Sequence, residues 1–316
     1  MKTQGLQVYY RGYLKSCNYA CSYCPFSKKK MSERQLMKDR EALFRFIDRI
    51  GKMEETKGER FAVQIVPYGE ALIHDFYWEA MAKLSCLSCC DAVGCQTNLS
   101  FPVEKMISKF SENQGNVEKL RLWCTYHPAM TGKEDFLKQS QSLRDRGVKH
   151  CIGAVGNPEN IQDIKALRRE LPPEIYFWIN RMDGLKRQYT SQEKKALEEI
   201  DPFFHSELSY PAAACENCKN SWFVQADGRV TPCNLNKSSL GNLYDNEFGS
   251  SCKTPGSMSG ACKCFLAYCN RLDREENMWF YPYPAFRILN YPAAICLDTD
   301  QTIVGKGGEG GFIGNG

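Results

Sequence analysis

The chain has 316 residues, of which 43% are hydrophobic and 25% are charged, and its formal net charge is +4. This composition is typical of a globular protein, and no long uncharged apolar run predicts a membrane-spanning helix. The small net charge gives no reason to expect a nucleic-acid partner. Because the N-terminus is too polar for a secretion signal, we expect a cytoplasmic protein that does not associate with membranes.

Cysteine is unusually abundant in this chain, with 17 residues. Disulfides are rare in a reducing cytosol, so metal ligation is the better explanation for closely spaced cysteines. The total is too large for all of them to be ligands. We expect six to be small buried hydrophobic side chains, namely Cys86, Cys89, Cys90, Cys95, Cys124 and Cys151.

From residue 6 to about residue 182, short apolar runs alternate with segments of helical periodicity, as in repeated βα units around a parallel sheet. The predicted strands are residues 6–10, 61–67, 91–96, 120–125, 149–155 and 175–180. The clearest predicted helices are residues 40–50, 136–146 and 161–171. The pattern favours an α/β fold, a partial (β/α)6 barrel, whose active site gathers at the carboxyl ends of the strands.

The pattern changes after about residue 200. Residues 222–225 and 229–231 flank an Ala-Asp-Gly turn and predict a β-hairpin. Seven cysteines fall between residues 215 and 269, which favours a small domain organised by metal. We therefore expect three parts, a barrel over 1–200, a cysteine-rich domain over 201–275, and a C-terminal strap with a flexible Gly-rich tail over 276–316.

Cys17, Cys21 and Cys24 directly follow the first predicted strand, with the spacing Cys-x3-Cys-x2-Cys. Three such thiolates can hold three irons of a [4Fe–4S] cluster and leave the fourth iron without a protein ligand. An open metal position is typical of a catalytic centre, and here it could bind S-adenosylmethionine and pass it one electron. The product would be a 5′-deoxyadenosyl radical that abstracts a hydrogen atom. Zinc is the alternative, but it usually takes four ligands and no fourth ligand lies nearby.

The motif resembles the signature of the radical SAM superfamily, which has an aromatic residue before its last cysteine. That residue is Tyr23, which the resemblance places near the adenine of S-adenosylmethionine. Residues 67–70 (PYGE) are similar to the family's Gly-Gly-Glu element, with Tyr68 in place of the first glycine. The resemblance therefore implies that Gly69 and Glu70 receive the ammonium group of the cofactor's methionine.

The resemblance extends to the ends of later strands. Asn98 belongs to a Gln-Thr-Asn segment that matches the family's segment near the ribose. Ile152 and Val155 belong to a segment similar to the one that contacts adenine. Within the superfamily the chain is most similar to one bacterial family that opens with YRGxLxSCNYxCxYCPF. The stretches that carry this similarity are residues 10–26, 123–128 (WCTYHP) and 240–244 (LGNLY).

The later cysteines resemble the opening of the SPASM/twitch extensions of radical SAM enzymes, which bind one or two auxiliary iron–sulfur clusters. After its first part the spacing departs from that pattern, which argues against two full clusters. We therefore expect a single auxiliary cluster. Its expected ligands are Cys215 or Cys218, then Cys233, Cys262 and Cys264, with Cys252 and Cys269 in reserve. A structural zinc ion is the alternative, because four thiolates suit zinc equally well.

Tyr126 and His127 close the fourth predicted strand and are expected to face the mouth of the barrel. Either side chain could supply the proton or hydrogen atom that quenches a substrate radical. The alternative for His127 is a structural hydrogen bond to a neighbouring loop. Asn180, at the end of the sixth strand, could donate or accept a hydrogen bond to the cofactor or the substrate.

These features predict a radical SAM oxidoreductase or transferase that acts on a peptide or a small natural-product-like metabolite. The resemblance implies a flavodoxin- or ferredoxin-type electron donor. A SPASM-like extension favours peptide modification, such as crosslinking, epimerisation or oxidation. The alternatives are a glycyl-radical-enzyme activase, a dehydrogenase or epimerase of a small metabolite such as a sugar or nucleoside, and a non-catalytic metal-binding scaffold.

Overall fold

Six βα units follow one another along the first two thirds of the chain. A computed structural model describes residues 5–26, 29–57, 60–208, 221–236, 238–246, 248, 279–280, 282–289, 296–297 and 303–304. The six strands are β1 (Leu6–Arg11), β2 (Phe61–Ile65), β3 (Cys90–Thr97), β4 (Leu120–Tyr126), β5 (Lys149–Val155) and β6 (Phe177–Asn180). All six predicted strands are therefore confirmed, with ends that differ by at most two residues.

A helix follows each of these strands and packs on one face of the sheet. The helices are α1 (Glu33–Lys57), α2 (Asp75–Cys86), α3 (Val103–Glu112), α4 (Lys133–Asp145), α5 (Ile161–Glu170), α6 (Ser191–Glu198) and the short α7 (Phe204–Leu208). The three predicted helices correspond to α1, α4 and α5. None of the helices in the described ranges is long and apolar enough to cross a bilayer.

One sheet of nine strands organises the described part of the chain. Its order is β6-β5-β4-β3-β2-β1-β7-β8-β9, and β1 to β6 pair in parallel. The predicted hairpin is present as β7 (Ser221–Gln225) and β8 (Arg229–Thr231), and β9 is Gly241–Asn242. Because β7 pairs in parallel with β1, the hairpin continues the main sheet beside the first strand. A separate antiparallel pair joins β10 (Cys296–Leu297) to β11 (Ile303–Val304).

Each face of the sheet has its own hydrophobic core, because successive side chains of a strand point to opposite faces. Cys124 and Ile152 belong to the large cluster that β-strands and helices share. Their strand neighbours Trp123 and Cys151 belong to a second cluster, with Phe280, on the inner, concave face. The inner face therefore carries the side chains that can line a site.

Residues 282–289 pack against the inner face near the amino ends of the first three strands. The backbone N–H of Ala285 donates to Gln7 Oε1 at 3.0 Å, and the Tyr283 hydroxyl donates to Asp91. Gly94 makes room for this segment, since a Cβ there would lie 2.6 Å from the ring of Phe286. This segment therefore covers the inner face at the amino ends of these three strands.

Five of the six cysteines predicted to be buried are buried, and the prediction is wrong for Cys86. Cys86 is the last residue of α2, where the helix reaches the surface. Its exposed thiol donates a hydrogen bond to the backbone oxygen of Gln114 at 3.2 Å.

Candidate active site

The three closely spaced cysteines lie on the loop that follows β1, which we call the cysteine loop (residues 12–26). A buried carboxylate on α1 fixes the start of this loop. Asp39 accepts the backbone N–H groups of Tyr13 at 2.5 Å and Leu14 at 3.1 Å, and the Tyr77 hydroxyl at 2.6 Å. Burial raises the pKa of Asp39, and these three donors lower it in part. The loop is thus tied to α1 just before its first cysteine.

Gly69 packs directly against the backbone of the cysteine loop. A Cβ at this position would lie 1.8 Å from the carbonyl oxygen of Ser16, the residue before Cys17. The backbone N–H of Glu70 donates to the same carbonyl oxygen at 3.0 Å. The predicted Gly-Glu element at the carboxyl end of β2 is therefore in contact with the cysteine loop, and only glycine allows so close an approach.

Glu70 joins the ends of β2 and β3. Its carboxylate accepts the hydroxyl of Thr97 at 2.8 Å, the backbone N–H of Asn98 at 2.6 Å and that of Leu72 at 3.0 Å. The side chain is 2% exposed, and burial raises its pKa to about 7 in spite of these donors. Glu70 therefore holds the Thr97–Asn98 turn next to the cysteine loop.

Hydrogen-bond donors converge on the sulfur of Cys17. The side-chain amide of Asn98 donates to Cys17 Sγ at 3.6 Å, and the backbone N–H of Tyr19 donates to it at 3.4 Å. Asn98 also donates to Asn18 Oδ1 at 3.0 Å, and Asn18 donates to the hydroxyl of Ser100 at 2.9 Å. Asn18 and Ser100 were not predicted to belong to the site. The only indication in the sequence is that these polar residues lie close to Cys17 and to Asn98.

The thiols of Cys17, Cys21 and Cys24 are all free of disulfides. Burial raises the pKa of Cys17 and Cys21, so a metal that binds these thiols must displace their protons. The backbone N–H of Phe26 donates to Cys24 Sγ at 3.4 Å. Within the described residues, no three His, Cys, Asp or Glu side chains gather as a site for a metal ion. Sulfur atoms that accept backbone N–H groups suit iron–sulfur ligation, because such bonds tune the reduction potential of a cluster.

Tyr23 of the cysteine loop contacts His127, the residue that follows β4. The Tyr23 hydroxyl lies 2.7 Å from His127 Nδ1, and their rings stack with centroids 5.9 Å apart. The ring of Tyr19 packs edge-on against the same imidazole at 6.0 Å. Burial lowers the pKa of His127 to about 4 and raises the pKa of Tyr23, so both side chains are neutral near pH 7. The predicted residues Tyr23 and His127 are thus brought together.

Two predicted site residues point away from this group. Tyr126 is buried and packs on Phe136 of α4, with ring centroids 5.0 Å apart. The prediction that Tyr126 faces the barrel mouth is therefore wrong. Ile152 is fully buried in the cluster shared with the helices, so its side chain points away from the inner face, and its assignment to the cofactor stays a prediction. Strand alternation sends both side chains to the helix face.

Val155 and Asn180 lie side by side where β5 and β6 end. Both are partly exposed and belong to the alternation that continues from Cys151 and Trp178 on the inner face. The Asn180 Oδ1 atom is buried and accepts no hydrogen bond from a described residue. A buried acceptor of this kind favours binding a ligand that brings a donor.

Of the predicted auxiliary ligands only Cys233 lies within the described residues, where it is partly exposed and its sulfur accepts the N–H of Asn236 at 3.1 Å. Arg11 at the end of β1 donates to Asn234 Oδ1 at 2.7 Å and to the Tyr68 hydroxyl at 2.9 Å. The chain around Cys233 is thereby linked to the carboxyl edge of β1 and β2. The other predicted ligands lie outside the described residues, namely Cys215, Cys218, Cys262 and Cys264.

No protein-family model matches the sequence, and no curated protein does. Among solved structures, the chain is similar to anSMEcpe with bound AdoMet, at 15% identity over 78% of this chain and 80% of that chain, with a TM-score of 0.51. It is also similar to anSMEcpe with bound AdoMet and the Kp18Cys peptide, at 16% identity over 78% of this chain and 80% of that chain, with a TM-score of 0.51.

At this level of identity the similarity shows the fold alone. The fold is the radical SAM partial barrel. In this fold the cysteine loop, the Gly69–Glu70 turn, Asn98 and Asn180 occupy carboxyl ends of strands, the edge where parallel α/β folds bind their ligands.

Proposed function

We propose that the protein is a radical SAM enzyme that holds a [4Fe–4S] cluster on Cys17, Cys21 and Cys24 and binds S-adenosylmethionine beside it. One observation carries this proposal. The three free thiols lie at the carboxyl edge of a radical SAM partial barrel, on a loop that contacts both Gly69 and Asn98. When bound, the cluster and S-adenosylmethionine supply one electron and a 5′-deoxyadenosyl radical that abstracts a hydrogen atom from the substrate.

The residues present fit such a cluster. Three thiolates leave one iron open to the cofactor, and the donors on Cys17 Sγ, from Tyr19 and Asn98, stabilise negative charge on that sulfur. Asp39 and Gly69 hold the start of the loop from two sides, at Tyr13 and at Ser16. The three thiols do not gather as a metal site among the described residues, so a cluster would draw them together on binding.

S-adenosylmethionine would lie across the same strand ends. The backbone at Gly69, with Glu70 behind it, is the place for its ammonium group, and Asn98 is the place for its ribose. Tyr23, Val155 and the free acceptor of Asn180 would contact the adenosine part. Asn180 Oδ1 suits a hydroxyl or amino donor, because it has no partner among the described residues.

His127 is the group best placed to exchange a proton with a substrate. It is neutral near pH 7, it touches Tyr23, and it lies directly after β4 at the same edge as the cysteine loop. A neutral imidazole can accept a proton at one nitrogen and donate one at the other. We assign His127 this role and Tyr23 the role of fixing its ring.

The substrate is a peptide or a small natural-product-like molecule, and we favour peptide modification by crosslinking, epimerisation or oxidation. Two points support this choice. The cysteine spacing around β7 and β8 resembles SPASM/twitch extensions, with an auxiliary cluster expected on Cys215 or Cys218, then Cys233, Cys262 and Cys264. In addition, anSMEcpe, which shares the fold, has been solved with peptides bound. The enzyme would work in the cytoplasm with a flavodoxin- or ferredoxin-type donor.

Anaerobic reconstitution tests the proposal. We expect about eight irons per chain if an auxiliary cluster is present and about four if it is not. Reduction with dithionite in the presence of S-adenosylmethionine should yield 5′-deoxyadenosine. Cys24→Ala should abolish this product, whereas Cys86→Ala, which removes an exposed thiol where α2 ends, should not. If the reconstituted protein made no 5′-deoxyadenosine with any peptide or metabolite offered, the enzyme assignment would be wrong.

A further inference from the structure

A cluster of positive charge lies on the outside of the protein next to the cysteine loop. Between residues 12 and 38 the described side chains include one exposed acid, Glu33, and five exposed cations. We call these cations the basic face: Lys15, Lys29, Lys30, Arg34 and Lys38. None of the five forms a salt bridge with a described residue. Their charge therefore remains available to a partner.

Contacts within the structure place this face against the cysteine loop. The Lys38 ammonium lies 4.6 Å from the ring centroid of Tyr13, and the neighbouring Asp39 binds the backbone of Tyr13 and Leu14. The backbone N–H of Lys15 contacts the sulfur of Met31 at 3.1 Å. Lys15 is two residues from Cys17. The basic face is thus fixed to the elements that hold the cluster ligands.

The same face also exposes apolar side chains. Met37 is 51% exposed on α1, where Arg34 and the exposed acids Glu33 and Glu41 lie one helical turn away. Phe26, two residues after Cys24, is 47% exposed and packs one side of its ring on Tyr68. Exposed apolar side chains beside charged ones are typical of transient protein interfaces, in which charge steers the encounter.

We infer that the basic face is the docking site of the electron donor, an acidic one-electron carrier protein with a flavin or an iron–sulfur centre. This inference rests on the proposed function. One electron passes from the reduced carrier to the cluster on Cys17, Cys21 and Cys24, and no atom is transferred. The carrier can dock outside the barrel because an electron crosses a short stretch of protein, whereas a substrate must enter the inner face. Complementary charge favours an acidic carrier, since the five cations outnumber the exposed acids beside them, Glu33 and Glu41.

Reversal of charge on α1 tests the docking site. The test variant is the double change Arg34→Glu and Lys38→Glu. The matched control is Lys105→Glu and Lys138→Glu, which reverses two exposed lysines of α3 and α4. Each reconstituted enzyme is assayed for 5′-deoxyadenosine, once with reduced flavodoxin and once with dithionite. Binding of oxidised flavodoxin to the same enzymes is measured by biolayer interferometry, as a readout that does not depend on turnover.

For the test variant we expect the flavodoxin-driven rate and the association rate constant to fall by about tenfold or more at low salt. The loss should shrink at about 0.5 M salt, because screening removes long-range attraction. The dithionite-driven rate should stay within about twofold of wild type, since a small reductant needs no docking site. The control variant should match wild type in all of these measurements.

Several results would overturn the inference. Equal losses in test and control variants would show that donor docking depends on overall charge. An equal loss with dithionite and with flavodoxin, together with a lower iron content, would show that the face supports the cysteine loop instead. The milder double variant Arg34→Gln and Lys38→Gln removes the two charges without reversing them, and it replaces the test variant if that one misfolds. If wild type makes no 5′-deoxyadenosine even with dithionite, the proposed function fails, and the binding measurement still decides whether an acidic carrier uses this face.

Discussion

The hydroxyl of Tyr23 lies 2.7 Å from Nδ1 of His127, and this contact joins the cysteine loop to the carboxyl end of β4. Either atom can be the donor, because the tautomer of the imidazole decides the direction of the bond. Burial lowers the pKa of His127 to about 4, so protonation of the ring would place a charge in a poorly solvated position. The pair therefore makes both the site and the stability of the protein sensitive to acid.

The first prediction concerns pH and His127. Its pKa is about 4 in the folded protein and about 6.5 in the unfolded chain, so the unfolded state binds more protons between these values. The contribution of neutral His127 to the free energy of unfolding is fully present above pH 6.5 and is lost as the pH falls toward 4. Between pH 6.5 and 4, we therefore expect wild type to lose about 2 kcal/mol more stability than His127→Gln, measured by chemical denaturation. The control is His205→Gln on the exposed surface; an unchanged slope in His127→Gln would contradict the assignment.

The second prediction concerns Gly69. Alanine at this position would place a Cβ 1.8 Å from the carbonyl oxygen of Ser16, and backbone must move to relieve that clash. We expect Gly69→Ala to lose at least about half of its iron on reconstitution and to destabilise the protein by about 1–3 kcal/mol. The matched control is Gly51→Ala in α1, where the nearest atom would lie 3.7 Å away and alanine should stabilise the helix. Equal iron content in the two variants would show that the cysteine loop can shift to make room for the added methyl group and still bind the cluster.

The sequence predicted the fold well because its signals are local. Apolar runs of strand length, helical periodicity and the spacing of Cys17, Cys21 and Cys24 can all be read within a few residues. The pairing of Tyr23 with His127 and of Glu70 with Asn98 joins residues from different βα units, so only the assembled sheet shows it. The face of the sheet to which the Tyr126 side chain points depends on whether β4 still includes this residue and in which register. A shift of one residue would turn the side chain to the other face.

The third prediction concerns the buried carboxylate of Glu70. Its pKa is raised to about 7 by burial, so the folded state holds the proton more tightly than the unfolded chain does. The contribution of this group to stability is present below about pH 4.5 and is lost as the pH rises through 7. Glu70→Gln cannot titrate, so the stability of wild type relative to this variant should decrease by about 3 kcal/mol between pH 4.5 and 8.

The Glu70 experiment needs two comparisons. Glu159→Gln, which neutralises an exposed carboxylate, should leave the pH dependence of stability as in wild type. Thr97→Val removes one of the three donors that lower the pKa of Glu70, so its cost of about 1–2 kcal/mol should be larger above pH 7, where Glu70 is ionised, than below it. A wild-type curve parallel to that of Glu70→Gln would mean that Glu70 is as well solvated in the folded protein as in the unfolded chain.

The fourth prediction concerns Gly153, which lies between two tryptophans of the inner face. Trp123 and Trp178 meet edge-to-face with ring centroids 4.6 Å apart, and a Cβ at Gly153 would lie 2.6 Å from Nε1 of Trp123. Both indoles are nearly buried, so the added methyl group has to displace one of them along the inner face. We expect Gly153→Ala to destabilise the protein by about 1–3 kcal/mol and to change its near-ultraviolet circular dichroism.

Gly153 also bears on the site, because Val155 lies two residues beyond Gly153 on β5 and Asn180 lies two residues beyond Trp178 on β6. A displaced indole would reach the space that we assign to the adenosine part of the cofactor. We therefore expect Gly153→Ala to weaken S-adenosylmethionine binding, measured by calorimetry, by about tenfold, which corresponds to about 1.4 kcal/mol. Gly51→Ala again serves as the control. If affinity stayed at the wild-type value while stability fell, the tryptophans would only support the inner face, and the cofactor would bind elsewhere along the strand ends.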